Sequence, residues 1–311
     1  MANKLFHILK SQQFSRAWLE KEFFPLSTKM KKAVLSGKRL HDLDGKIVSL
    51  LFYEPSTRTR TSFQQAVLKL GGQVVATENA KEFSSAVKGE TMKDTTRIMN
   101  AYHFDAIVIR SDYEGAAEEA AEVSKCAILN AGDGAGQHPT QSLLDIYTIY
   151  EKFGKVDGLR VAFVGDLKYG RTVRSLCYLL GKFKNIHVDF VAPESLQMRE
   201  DILEYLKEHG VKYEMHSDLK EVADKADVIY MTRAQKERMK EGEKFSPDGY
   251  RITKELLKKI RNKSVILHPL PRSNDFNEIP EELTEDPRIA IFEQAENGLF
   301  TRMALLKMII G

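Results

Sequence analysis

KIVSLLFYEPSTRTRTSFQQAVLKLGG, residues 46–72, predicts a strand, a turn and a helix in direct succession. The apolar run at 46–53 has the length of a buried strand, and TSFQQAVLKLGG has the apolar spacing of an amphipathic helix that Gly71 can end. Pro55 already supplies a turn residue. The hydroxyls and arginines at 56–60 are not required for the turn, so they indicate a site.

The same alternation of apolar runs and helical patterns continues along the chain. It predicts an α/β protein in which open, mostly parallel sheets are flanked by helices. The strand-like runs lie at 46–53, 73–77, 106–110, 127–131, 160–166, 188–192, 227–231, 264–270 and 289–292.

A polar, glycine-containing stretch at 151–160 marks a boundary between two domains, and the helical pattern at 141–150 predicts a helix that leads into it. The chain of 311 residues has the length of about two domains. The apolar pattern at 297–310 predicts a C-terminal helix that must pack on a core. The pattern alone leaves open which domain supplies that core.

The composition argues against several classes of protein. The 47 basic and 44 acidic residues nearly balance, whereas dedicated nucleic-acid binders carry a large, clustered basic excess. Cys126 and Cys177 show no CxxC or Cys/His spacing, which argues against a disulfide framework and a zinc site. No run approaches the ~18 apolar residues of a membrane span, and the start lacks a signal-peptide core. We expect a soluble, cytoplasmic protein without nucleic-acid or membrane partners.

The turn at 54–60 has the features of a phosphate site. It follows a predicted strand, at the edge where ligands bind in open α/β sheets, and it opens a helix whose free N–H groups attract anions. Ser56, Thr57 and Thr59 add hydroxyl donors, and Arg58 adds a bidentate cation. A single hydroxyl here would be interpreted as an N-cap beside solvated arginines. Five polar donors in succession favour the phosphate site instead.

Two further strand ends carry polar side chains toward the same edge. Arg110 ends the third strand-like run, and the glycine-rich loop at 132–141 delivers His138 and Gln141 at a helix start. Alone, each of these residues would be ordinary polar surface. Beside Arg58 and Arg110, His138 is a candidate for donating to a carbonyl oxygen.

In the second half, VAFVGDLKYGRTVRSL is only superficially like a dinucleotide-binding motif. Gly165 and Gly170 do not give the GxGxxG spacing, and bulky residues fill the turn. A dinucleotide-dependent oxidoreductase is therefore disfavoured. Arg171 instead opens the next helix, where it is placed to bind an anion.

Two more loops follow strand-like runs in this half. TRAQKER brings Arg233 and Gln235 together with the ion-pair candidates Glu237 and Arg238. HPLPR, at 268–272, holds two prolines that favour a rigid turn with outward carbonyls. An ordinary strand exit explains HPLPR equally well.

Together these residues predict a cleft for two anionic small molecules. The spacing indicates no Ser/His/Asp nucleophile set, no paired acid–base carboxylates, no metal cluster and no cofactor. Catalysis would then depend on positioning and electrostatic stabilisation rather than on a covalent intermediate. A non-catalytic module for nucleic acid or other anions is disfavoured, because the arginines lie at strand ends and not along one face.

Five segments of the chain closely resemble motifs of the aspartate carbamoyltransferase family. In chain order they are STRTR after FYEP, HPTQ, GDLKYGRT, MTRAQKER and HPLPR. The resemblance covers essentially the whole chain and ends with NGLFTRMALL. It implies transfer of the carbamoyl group from carbamoyl phosphate to the amine of L-aspartate, an early step of pyrimidine synthesis. It also implies a carbamoyl-phosphate domain at 1–150 and 293–311, to which the C-terminal helix returns, and an aspartate domain at 151–292.

The resemblance implies that the first domain binds carbamoyl phosphate through the phosphate turn, carbonyl-polarising donors and a contact to the carbamoyl amide. In chain order these residues are Ser56, Thr57, Arg58, Thr59, Arg110, His138 and Gln141. Thr59, Arg110 and His138 would polarise the carbonyl, and Arg58 completes the expected catalytic set.

The resemblance assigns aspartate to the second domain. Arg171, Arg233 and Gln235 match residues that hold aspartate in the family. The carbonyls of Pro269 and Leu270 would contact the two amino groups involved.

Other implied contacts reach beyond one domain or one chain. SSAVKGE resembles a loop that enters a neighbouring subunit's site, so Ser84 and Lys88 would bind carbamoyl phosphate there, with Lys88 also reaching aspartate. A homotrimer with shared sites is expected, and the binding of a regulatory chain stays open. Glu54 matches a residue that pairs with second-domain arginines, here Arg171 or Arg238.

The alternative acceptor is ornithine, because the ornithine enzyme shares the STRTR and HPxQ themes. A cationic acceptor would require carboxylates in the second domain. At the corresponding positions, the ornithine enzyme has motifs similar to SMG and HCLP, whereas this chain has TRAQ and HPLPR. Aspartate is therefore favoured. The segment at 240–252 matches the family poorly, and no residue is assigned there.

Overall fold

The computed structural model describes residues 6–77, 80, 89–235, 246–273 and 275–311. The chain divides into two compact units. The first comprises Met1–Tyr147 and Glu296–Gly311, and the second comprises Thr148–Ala295.

The first unit contains a four-stranded parallel sheet in the order β2-β1-β3-β4. Its strands are β1 (Ile47–Phe52), β2 (Gln73–Thr77), β3 (Ala106–Ser111) and β4 (Ala127–Asp133). Residues of β1, β3 and β4 are almost all buried, which matches their continuous apolar runs. Parallel pairing brings the carboxyl ends of these three strands to one edge.

The second unit contains a five-stranded parallel sheet in the order β7-β6-β5-β8-β9. Its strands are β5 (Arg160–Val164), β6 (His187–Val191), β7 (Lys212–His216), β8 (Val228–Met231) and β9 (Val265–Leu267). β5 lies at the centre, so its exit loop is flanked by the exits of β6 and β8.

Helices precede, connect and follow the strands of the first unit. They are α1 (Arg16–Trp18), α2 (Phe24–Leu35), α3 (Thr57–Lys69), α4 (Met92–Ala101), α5 (Ala116–Ala121) and α6 (Pro139–Phe153), the last of which runs past the unit boundary. A π-helical turn at Leu19–Phe23 joins α1 to α2, and a 3₁₀ turn lies at Ser11–Gln13.

The second unit has a similar set. Its helices are α7 (Arg171–Leu180), α8 (Glu200–Glu208), α9 (Lys254–Leu257) and the start of α10 (Ile291–Ile310), with 3₁₀ turns at Glu194–Leu196, Leu219–Glu221 and Glu281–Leu283. Within the described residues, no helix is both long and apolar enough to cross a membrane.

Helix α10 ends in the first unit, as the resemblance implied. Lys31 Nζ donates to Asn297 Oδ1 at 3.3 Å, and Lys307 pairs with Asp42. The Arg302 guanidinium lies 5.1 Å from the centre of the Phe63 ring on α3. The predicted α/β fold with two open sheets and a returning C-terminal helix is confirmed.

One strand prediction is wrong and one strand was not predicted, each for an identifiable reason. The run at 289–292 is not a strand: Ile289 makes a single bridge to Ile266, and α10 begins at Ile291. Conversely, β7 was not predicted, because KYEMH is a largely exposed edge strand in which charged residues interrupt the apolar pattern. The other strand-like runs form β1–β6, β8 and β9.

Candidate active site

The turn after β1 leads directly into the start of α3. Ser56 occupies the N-cap position with extended backbone (φ −159°), yet its side chain makes no capping hydrogen bond to the described residues. The simple interpretation of Ser56 as a side-chain N-cap is therefore wrong. Its hydroxyl and the first-turn N–H groups of α3 lie together at the positive end of the helix dipole, where an anion is stabilised.

Packing of α3 fixes this turn in place. Thr59, Phe63, Ala66 and Val67 form the buried face of the helix, at the spacing that keeps residues on one side. Arg58 is exposed at the first turn. The sequence thus buries one face of α3 while leaving its first turn accessible to a ligand.

Arg110 is a buried residue that joins three strand ends. It lies opposite Phe52 in the β1–β3 register, and its Nη1 donates to the Ala131 carbonyl of β4 at 3.2 Å. Its Nη2 donates to Glu54 Oε1 at 3.0 Å, with only 11% of the Arg110 side chain exposed. An ordinary surface arginine is excluded by this arrangement.

Asp133 holds the glycine-rich loop after β4 in shape. Its carboxylate accepts from Gln137 N at 2.6 Å and from Gly115 N at 3.0 Å. Gly134 has a φ of +46°, and a Cβ there would lie 2.9 Å from the Asp112 carbonyl oxygen. This close approach requires glycine. The role of Asp133 in holding this loop was not predicted, because the only indication in the sequence was the glycines around it.

His138 and Gln141 lie at the start of α6, and both are buried. The His138 carbonyl accepts from Gln141 N at 3.0 Å as the helix begins. Gln141 Nε2 donates to Asp145 Oδ1 at 2.9 Å, one turn later. Burial lowers the pKa of Arg302 to about 10, and Asp145 acts against that shift. Asp145 thus connects a predicted site residue to a buried cation.

Asp166 organises the loops of the second unit. Its Oδ1 accepts from Tyr169 N and its Oδ2 from Gln235 N, each at 3.0 Å. Gly165 has a φ of +114°, and a Cβ there would lie 2.5 Å from the Thr232 carbonyl oxygen. The loop after β5 therefore packs against the segment after β8, and the glycines serve this approach rather than a dinucleotide.

The predicted anion-binding arginines of this unit lie on those two loops. Arg171 is the buried first residue of α7, with Gly170 as its N-cap. Arg233 Nη1 donates to the Ala234 carbonyl at 3.3 Å. The next residue, Gln235, is held through its backbone N–H by Asp166.

HPLPR forms a tightly held turn after β9. His268 N donates to Gln294 Oε1 at 2.8 Å, and His268 Nδ1 accepts from Leu270 N at 2.8 Å. Leu270 has a φ of +55° and precedes a cis peptide bond to Pro271. Arg272 Nη1 donates to the Ile279 carbonyl at 3.0 Å.

Glu278 is a buried carboxyl group that the sequence did not single out. Its Oε2 accepts from Ser273 N at 2.9 Å. Burial raises the pKa of Glu278, while the Ser273 hydrogen bond, Arg233 and Arg272 act in the opposite direction. The carboxyl group therefore belongs to the electrostatic surroundings of Arg233.

The structure places the predicted residues in two groups, each at the carboxyl edge of its own sheet. The first group is Glu54, Ser56, Thr57, Arg58, Thr59, Arg110, His138 and Gln141, and the second is Arg171, Arg233, Gln235, Pro269 and Leu270. Ser84, Lys88, Glu237 and Arg238 lie outside the described residues. Glu54 pairs with Arg110 here, and its pairing with second-domain arginines stays a prediction.

Family models match nearly the whole chain in two parts. Residues 7–151 match "Aspartate/ornithine carbamoyltransferase, carbamoyl-P binding domain". Residues 157–309 match "Aspartate/ornithine carbamoyltransferase, Asp/Orn binding domain".

Individual relatives show the same similarity. The chain is 49% identical to the chloroplastic aspartate carbamoyltransferase of Arabidopsis thaliana, over 99% of this chain and 78% of that protein. It is 44% identical to the aspartate carbamoyltransferase catalytic subunit of Vibrio campbellii, over 100% and 99% of the two chains. It is 40% identical, with a TM-score of 0.92, to Trypanosoma cruzi aspartate transcarbamoylase in complex with carbamoyl phosphate and aspartate, covering 98% and 97% of the chains. The chain belongs to the aspartate/ornithine carbamoyltransferase family.

Proposed function

We propose that the chain transfers the carbamoyl group of carbamoyl phosphate to the amine of L-aspartate, giving N-carbamoyl-L-aspartate and phosphate in pyrimidine biosynthesis. The observation that carries this function is the full-length similarity to a structure holding both carbamoyl phosphate and aspartate. Two groups of anion-binding side chains, one on each sheet, agree with a reaction between two anionic substrates.

The phosphate of carbamoyl phosphate is assigned to the start of α3. The first-turn N–H groups, Ser56, Thr57 and Thr59 supply donors, and Arg58 supplies a cation that can bind two oxygens. The hydroxyl of Ser56, which makes no cap to the described residues, supports its role toward a ligand.

The carbonyl oxygen is assigned to Thr59, Arg110 and His138. Attack by the aspartate nitrogen forms a C–N bond and a tetrahedral oxyanion. The C–O bond to phosphate then breaks, and the departing phosphate takes the amine proton. Donors already fixed around the oxyanion stabilise this state without rearranging. Arg110 meets that condition because Glu54 and Ala131 hold its guanidinium in place.

The carbamoyl NH₂ group is assigned to Gln141. Because Gln141 Nε2 donates to Asp145, its Oε1 is the end presented as an acceptor. A carbamoyl NH₂ is a donor and therefore matches Oε1. Asp145 is accordingly a positioning residue for carbamoyl phosphate.

Aspartate is assigned to the second unit. Two carboxylates require more than one cation, and Arg171 and Arg233 provide two, with Gln235 beside them. The Pro269 and Leu270 carbonyls can accept from the amino groups, since the HPLPR turn fixes their backbone. Ornithine is not favoured, because its cationic side chain would face these arginines.

The proposal also covers the roles of the two domains, the assembly of the chain and its location. Carbamoyl phosphate is assigned to 1–150 with 293–311, and aspartate to 151–292, in agreement with the descriptions of the matching family models. A homotrimer with shared sites, with Ser84 and Lys88 entering a neighbour's site, stays a prediction, as does the cytoplasmic location. A regulatory chain is left open.

The function is tested by product formation from carbamoyl phosphate with either L-aspartate or L-ornithine. A ureido product with aspartate alone is expected, and product with ornithine alone would overturn the acceptor. Arg58→Ala should lower turnover by about 100-fold or more, the usual loss for a donor to developing charge. Arg97→Ala, on an exposed pair with Asp94, is the matched control and should retain activity.

Shared sites are tested by mixing subunits. Arg58→Ala and Lys88→Ala chains are each expected to be inactive alone. After dissociation and recombination, hybrid trimers should regain part of the activity, because some sites then receive both intact residues. Confirmed hybrids without any recovery would contradict sites shared between chains.

A further inference from the structure

Three strands of the second sheet carry a cluster of ionisable side chains on one face. Arg160 begins β5, His187 and Asp189 lie on β6, and Glu214 and His216 lie on β7. Alternate residues of a strand share a face, and the register sets Arg160 beside His187 and Asp189 beside Glu214. These residues lie within the strands, whereas the predicted substrate residues of this unit lie in the loops and helix starts that follow β5, β8 and β9.

Three side chains of this cluster have the spacing of metal ligands. One ligand atom each from His187, Asp189 and Glu214 lies within 4.8 Å of the others. His187 Nε2 is 3.4 Å from Asp189 Oδ1 and 3.6 Å from Glu214 Oε1. In a tetrahedral zinc site with bonds of roughly 2.0–2.1 Å, neighbouring ligand atoms are about 3.3 Å apart.

The His187 ring nitrogen supports this interpretation. Nε2 is buried and makes no hydrogen bond to the described residues. Its distances to the two carboxylates exceed the roughly 2.7–3.2 Å of an N–H···O hydrogen bond. An imidazole nitrogen at these distances from two carboxylate oxygens is compatible with coordination of a shared cation.

The cluster also holds more acidic than basic side chains. Asp189, Glu214 and Glu221 contribute three negative charges, and Arg160 and Lys212, which lies opposite His187 in the β6–β7 register, contribute two positive charges. An excess of negative charge remains among these side chains, and it attracts a cation. Glu221 joins the cluster through His216, whose Nδ1 is 3.2 Å from Glu221 Oε2.

Neighbouring side chains hold the central carboxylate in position. Arg160 Nε donates to Asp189 Oδ2 at 2.6 Å, and His216 Nε2 lies 3.1 Å from Asp189 Oδ1. Such partners orient a ligating carboxylate. An open surface pocket lined by His187, Lys212 and Glu214 gives an ion access from solvent to two of the three side chains.

We propose that His187, Asp189 and Glu214 bind a divalent transition-metal ion, for which Zn²⁺ is the best match. Imidazole nitrogen with carboxylate oxygen suits zinc, and a fourth position is left for water. The ion would join edge strand β7 to β6. The sequence predicted no metal because the ligands come from two strands separated by α8, without a recognisable spacing.

The proposal is tested by equilibrium dialysis of Zn²⁺ against the chelator-treated, full-length chain. One ion per chain is expected, with a rise in melting temperature because the ion binds the folded state. His187→Gln and Glu214→Gln should weaken binding by at least ~10-fold, while His41→Gln, an exposed histidine paired with Asp44, should not.

Two outcomes would overturn the site. One is an unmutated chain that binds no stoichiometric Zn²⁺, and the other is a pair of variants that bind as tightly as the unmutated chain. If a variant does not fold, the Co²⁺ spectrum of the unmutated chain decides. A visible tetrahedral band supports the site, and its absence contradicts it.

Discussion

Replacement of Asp145 by asparagine should destabilise the protein and weaken carbamoyl transfer together. Burial lowers the pKa of Arg302 to about 10, even with Asp145 nearby. Burial therefore disfavours the charged guanidinium, and the negative charge of Asp145 opposes that effect. Removing one partner of a buried pair costs about 3–5 kcal/mol. We therefore expect Asp145→Asn to lower the free energy of unfolding by about 3 kcal/mol.

The effect on activity follows from Gln141. An asparagine at 145 can present either its oxygen or its NH₂, so the Gln141 amide is no longer held in one orientation. A hydrogen bond to a charged group contributes about 1.5–3 kcal/mol, so kcat/KM for carbamoyl phosphate should fall by about 10- to 100-fold. Steady-state kinetics at saturating aspartate measures this loss. Asp94→Asn, an exposed carboxylate, is the control.

A double variant tests the reasoning. If the unpaired Arg302 charge causes the instability, adding Arg302→Met should restore part of the stability of Asp145→Asn. The free energy of unfolding is measured with urea at fixed protein concentration. Its decrease in the double variant should be at least about 1 kcal/mol smaller than the sum of the decreases in the two single variants. Strictly additive losses would refute the claim that Asp145 compensates Arg302.

Three further predictions concern other parts of the site. Glu54→Gln should raise the KM for carbamoyl phosphate, because Arg110 loses a charged partner at 3.0 Å; a change confined to the KM for aspartate would contradict this. Gly165→Ala should lower the free energy of unfolding by about 1–3 kcal/mol, since its Cβ would meet the Thr232 carbonyl, and an unchanged melting curve would be inconsistent with that contact. Burial raises the folded-state pKa of Glu278 above its unfolded value, so its contribution to stability is present below the unfolded pKa and lost as pH rises through the folded one. The free energy of unfolding of Glu278→Gln should therefore rise relative to that of the unmutated chain from pH 4 to pH 7. A difference between the two that does not change with pH would exclude the raised pKa of Glu278.

The buried strands and the phosphate turn were predictable because their signals are local. The runs that form β1, β3 and β4 are continuous and apolar, and the donors at 56–60 are consecutive in the chain. β7 escaped prediction because an exposed edge strand needs no apolar run. The run at 289–292 was misassigned because a short buried apolar stretch fits a strand and a helix start equally well.

The acids that support the site were not predictable from the sequence. Asp133, Asp145 and Asp166 are buried and accept from backbone N–H groups or from a site side chain. A buried carboxylate with partners is indistinguishable in sequence from one that lies on the surface. Asp166 also acts across a long separation, since it holds Gln235, 69 residues further along the chain.

The central claim is the transfer of the carbamoyl carbon to the aspartate nitrogen. The most direct test follows the reaction of ¹³C-labelled carbamoyl phosphate with ¹⁵N-labelled L-aspartate by NMR. The account predicts a new ¹³C signal split by one-bond coupling to ¹⁵N, in step with phosphate release, with Arg97→Ala behaving as the unmutated chain and Arg58→Ala failing. Phosphate release without a ¹³C–¹⁵N bond would contradict it.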